Sequence, residues 1–140
     1  MAGFLSKEEW DNYINEWECL SNAQYQCSGE YFETFISCDA IINDSVSFMA
    51  EILYAHKPML YLKSSKAAFN ELGDMLEECH YSCAGSDHTK IEEFINMIIA
   101  NKDEMYLQRE EFFRQYLDYK NFNGITVSRF IYEYVKYSIA

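Results

Sequence analysis

The chain has 140 residues, of which 49% are hydrophobic and 17% aromatic, with a formal net charge of −12. That length fits one domain with an ordinary core. The charge argues against nucleic acid or an anionic membrane surface as a direct partner, since both demand basic patches.

The five cysteines, Cys19, Cys27, Cys38, Cys79 and Cys83, form no regular framework, which fits a reduced, cytoplasmic chain. Lys7, Glu8 and Glu9 interrupt any apolar leader. No apolar stretch approaches a membrane span, so no direct insertion is expected.

Ser6 with Glu9 predicts a capping box, opening a helix that carries Trp10, Tyr13, Ile14 and Trp17 on one face and ends at Asn22. Ala23 to Cys27 reads as a short strand and Tyr31 to Ile36 as a brief helix, with Phe32, Phe35 and Ile36 inward. The stretch that follows is the most informative. Ala40 to Asn43 reads as a buried strand, Asp44 and Ser45 as a polar turn, about Val46 to Tyr54 as a helix, and Met59 to Leu62, opened by Pro58, as a second strand. Both apolar runs lack alternation, which suits parallel strands covered on two faces.

Ala67 to Glu78 is predicted helical, with Phe69, Leu72, Met75 and Leu76 inward, and His80 to Cys83 gives a last short strand. Thr89 with Glu92 caps a helix bearing Ile91, Phe94, Ile95, Ile98 and Ile99. A second helix spans about Asp103 to Leu117. Asn123-Gly124 turns the chain into a third, through Val127, Phe130, Ile131, Tyr134 and Val135. The apolar stripe of these last three helices is assigned to the core. The expectation is a single α/β domain over 1–140: a Rossmann-like partial parallel sheet of about four short strands flanked by helices, with a helical C-terminal third.

Where the first strand stops and a helix begins, first-turn N–H groups lack intrahelical partners and the helix dipole is positive. The amides of about Val46 to Phe48, with the hydroxyls of Ser45 and Ser47 and the turn residue Asp44, therefore form a candidate phosphate site. It lies at a strand's carboxyl end, where open α/β sheets gather ligands. The plain alternative makes Ser45 a helix N-cap and Asp44 a turn closer. Glu51, one turn beyond Ser47, can face the same cleft and accept from ribose or glycerol hydroxyls, the plain alternative being a solvated helix glutamate. Lys63 and Lys66, after the second strand, are further candidates for phosphate. Cys79, His80, Cys83 and His88 carry zinc-compatible ligand types at a spacing that matches no zinc ribbon or finger, and no metal or cofactor is assigned. There is no Gly-rich phosphate loop, G-x-S-x-G or H-E-x-x-H motif, and no catalytic residue is assigned.

The segment C-D-A-I-I-N-D-S-V-S-F-M-A-E-I-L-Y-A-H-K-P-M-L-Y-L resembles the CDP-glycerol glycerophosphotransferase family of teichoic-acid and capsule-polymer enzymes. That family reads roughly S-D-A-[LI]-I-T-D-x-S-S-x-x-x-E before K-P and an apolar strand. E-E-W-D-N-Y-I-N-E-W, G-E-Y-F-E-T-F, F-N-E-L-G and N-G-I-T-V-S-R-F-I-Y-E-Y are similar more loosely. Val46 departs from the paired serines, with Ser45 supplying a hydroxyl one place earlier, and Asn43 stands where Thr is usual. The resemblance implies the C-terminal, donor-binding half of a GT-B fold, with Asp44, Ser47 and Glu51 at matching positions. By that match, Ser47 and its neighbouring amides hold donor phosphate and Glu51 meets donor hydroxyls. It also implies that the acceptor-binding half and the family's K-P-H-P-like segment lie outside this chain. The partners expected are a nucleotide-activated donor and the rest of the transferase, or a second copy covering the exposed faces. The location implied is cytoplasmic, at the inner face of the cell membrane as part of a larger enzyme. The alternative from another class is a non-catalytic acidic interaction module on a degenerate α/β scaffold.

Overall fold

The computed structural model describes residues 5–26, 29–64, 69–118 and 124–138. The chain divides into two compact units, Met1–Tyr31 and Phe32–Ala140.

The first unit is built on helix α1 (Lys7–Glu18). Its predicted capping box is formed: Glu9 N–H donates to Ser6 Oγ at 3.3 Å and Ser6 N–H to Glu9 Oε2 at 2.7 Å. The hydrogen bonds from Ser6 hold the Glu9 carboxyl below its ordinary pKa. Trp10, Tyr13 and Trp17 make successive ring contacts at 6.0 and 6.3 Å, yet all remain exposed. The helix stops at Glu18 with Cys19 as its C-cap, short of Asn22, and residues 23–26 form no strand. Cys27 lies outside the described residues.

The second unit opens with α2 (Phe32–Ser37) and continues β1 (Ile41–Asn43), α3 (Phe48–Tyr54), β2 (Met59–Lys63), α4 (Glu71–Glu77), β3 (Tyr81–Ala84) and α5 (His88–Ile99). It then adds α6 (Tyr106–Phe112), a π-helical turn over Phe113–Leu117, and α7 (Val127–Ser138). The strands are all parallel, in the order β1-β2-β3, with Ile41 opposite Met59 and Leu60 opposite Tyr81. The α/β expectation therefore holds, with three strands rather than about four among the described residues.

Strand parity divides the core in two. Met59 and Tyr61 point to one face and pack with Met49, Ile52 and Leu53 of α3, Leu76 of α4 and Phe112 of α6. Leu60 and Cys83 point to the other and pack with Phe94 of α5. Right-handed crossovers between neighbouring parallel strands place α3 and α4 on one side, as found. β2 is buried on both faces, which explains its unbroken apolar run.

Several expectations shift. Helix α3 begins at Phe48, not about Val46, because residues 44–47 are consumed by the turn. The described part of α4 starts at Glu71, with Asn70 Oδ1 accepting Gly73 N–H at 2.9 Å; residues 67 and 68 fall outside the described chain. Leu72 faces solvent rather than the core, whereas Phe69, Met75 and Leu76 do pack inward. Helix α5 is capped by Asp87, not Thr89, because the Asp87 carboxylate reaches Lys90 N–H at 3.2 Å and starts the helix earlier. Its inward residues are Ile91, Phe94, Met97 and Ile98, while Ile95 and Ile99 are exposed.

The predicted helix from Asp103 is shortened. Asp103 stays outside α6, where it pairs with the buried Arg109 and accepts the Tyr81 hydroxyl at 3.1 Å. The predicted apolar stripe of α7 is not core: Phe130, Ile131, Tyr134 and Val135 are all exposed, Tyr134 by 68%.

Candidate anion-binding corner

The corner follows the carboxyl end of edge strand β1. Asn43, its last residue, shares a face with Ile41 and directs its side chain along the sheet toward Met59 Sδ at 3.9 Å. Its carboxamide then folds over the turn, Oδ1 accepting Ser45 N–H at 3.1 Å and Nδ2 donating to Ser45 C=O at 2.5 Å. This Asx-type closure fixes Ser45 without recruiting its hydroxyl. The Ser45 and Ser47 hydroxyls meet each other at 2.9 Å instead.

Ser45 is thus not the helix N-cap. That position belongs to Ser47, whose backbone is already helical and whose side chain makes no capping hydrogen bond. Asp44 and Ser47 are exposed and Ser45 is half-buried. Val46 packs on the core below, and Phe48 meets Phe35 edge-on at 5.8 Å. The outward chemistry of the corner is therefore a pair of hydroxyls beside the Asp44 carboxylate. Glu51 is half-buried on the first turns of α3.

Lys63 ends β2 on the same edge of the sheet, but its ammonium is paired with the Glu77 carboxylate, which also accepts the Ser82 hydroxyl at 3.3 Å. The cation expected to reach toward a phosphate is engaged along the α4 face. Lys66 falls outside the described residues. Tyr61 lies buried beneath this region, its phenol pKa raised by burial and then by the charges of Glu77 and Asp44. The local field is acidic as much as basic.

The strand order never reverses among the described residues, so these three strands create no switch-point crevice of the kind that collects ligands in doubly wound sheets. A groove of about 660 Å³ lies near the amino ends of the strands, lined by Asp39, Pro58, Ile99, Lys102, Asp103 and Tyr106 among others. It is remote in topology from the β1–α3 corner.

The zinc-like cluster does not converge. Cys79 sits in the α3–α4 core and Cys83 in the α5 core, on opposite faces of the sheet. Burial raises the Cys79 thiol to about 11. His80 is buried with Nε2 3.3 Å from the Met49 carbonyl, and burial first, with the nearby Arg109 charge, lowers its pKa to about 4. Among the described residues no three His, Cys, Asp or Glu side chains are arranged to hold a metal ion.

Sequence reasoning missed the Asn43 closure and the Asp103–Arg109–Tyr81 network. Asn ahead of Asp-Ser is itself a turn signal, and it marks Asn43 as a side chain able to close the turn. No comparable signal marks Arg109, since a cation on an amphipathic helix ordinarily faces solvent.

No family model, no curated protein and no solved structure matches this chain.

Proposed function

We propose that this chain is the donor-side portion of a glycerophosphotransferase-like enzyme, a GT-B-type C-terminal half serving cell-surface polymer synthesis in the cytoplasm. In this reading the turn Asp44–Phe48 receives the phosphate of a CDP-glycerol-like donor, Glu51 meets donor hydroxyls, and Lys66, with Lys63 once it leaves its ion pair with Glu77, contacts the phosphate. The observation that carries it is the Ser45–Ser47 hydroxyl pair at the carboxyl end of a parallel strand, within the segment that resembles the family. Transfer needs donor and acceptor held together, so this chain is expected to bind but not to turn over.

The test is titration with CDP-glycerol, CDP-ribitol and UDP-sugars while following backbone amide shifts. Shifts at residues 44–51 with a CDP donor, independent of Mg²⁺ and lost in Ser47→Ala, support the reading. Silence of those amides with every donor refutes it.

A second reading, the acidic interaction module, is favoured by the solvent-exposed apolar side chains of α7. Sedimentation separates the two. Self-association without nucleotide binding supports the module, whereas a clean monomer that binds no nucleotide counts against both.

A further inference from the structure

We draw no further inference here: the strongest candidate, the exposed apolar face of α7 formed by Phe130, Ile131, Tyr134 and Val135, carries none, because nothing in the structure shows what covers it.

Discussion

Asn43 grips Ser45 at both backbone groups, at 3.1 Å through the Ser45 N–H and at 2.5 Å through its C=O. One side chain thereby takes over the polar obligations of a turn that no helix or sheet ladder satisfies. The same grip occupies the Ser45 N–H, leaving the amides of Val46 to Phe48 as the candidate set, and fixes the position from which the Ser45 hydroxyl reaches Ser47.

Replacing Asn43 by Ala removes both hydrogen bonds while leaving β1 pairing intact. At ~1 kcal/mol for each, Asn43→Ala is expected to lose about 1–2 kcal/mol. Urea denaturation should show a lower midpoint with an unchanged slope.

Gly73 lies inside α4, where Ala would ordinarily stabilise by about 1 kcal/mol. A Cβ there would stand 2.7 Å from Phe69 Cδ1 and 3.1 Å from Phe69 Cβ. The Phe69 ring is held against Tyr61, centroids 5.8 Å apart, so it has little room to retreat. Gly73→Ala is therefore expected to destabilise by about 1–3 kcal/mol through overpacking. Pairing it with Phe69→Leu should recover stability, which thermal melts of the single and double variants will show.

The His80 imidazole is held neutral by burial, its pKa falling from 6.5 to about 4. Between those values the unfolded chain binds the proton more readily than the native one, so stability falls as pH drops through that window. The loss should be on the order of 3 kcal/mol. His80→Gln, whatever its absolute stability, should flatten this part of the pH profile measured by urea denaturation at each pH.

Arg109 is fully buried and tied to Asp103, with its Nη1 3.4 Å from Asp103 Oδ1, while the Asp103 carboxylate also receives Tyr81. Arg109→Ala strands the Asp103 carboxylate in the segment ahead of α6 and is expected to cost about 3–5 kcal/mol. Arg109→Met, which fills the space without the charge, should be less damaging in the presence of Asp103→Asn than alone. The four melts form a double-mutant cycle that reads the coupling directly.

Much of the sheet could be read from the chain because its signals are local. Met59-Leu60-Tyr61-Leu62 is apolar on successive residues, as suits a strand covered on both faces, and β2 is so covered. Ala40-Ile41-Ile42 carries the same signal, yet β1 leaves Ile42 exposed. Ser6 and Glu9 announce α1 because each needs only the other's backbone. The cap of α5 was harder, since Asp87 and Thr89 are both competent and the choice rests on which one reaches an amide. At the corner the hydroxyls were legible, but the fate of the Ser45 N–H depends on the direction of the Asn43 side chain. The spacing of Phe130, Ile131, Tyr134 and Val135 declares an amphipathic helix without saying what lies against it. The strand order is invisible too, since β-α-β spacing is the same whether or not the winding reverses.

The split of Cys79 and Cys83 between the two sides of the sheet has a practical meaning. A pair kept apart by a layer of backbone cannot be oxidised to each other while the molecule is folded. Cys19 is exposed and open to alkylation, whereas Cys79 and Cys83 are buried. A brief maleimide pulse should therefore tag Cys19 at once and reach Cys79 and Cys83 only when the layers part, giving the chain a native clock for its own opening.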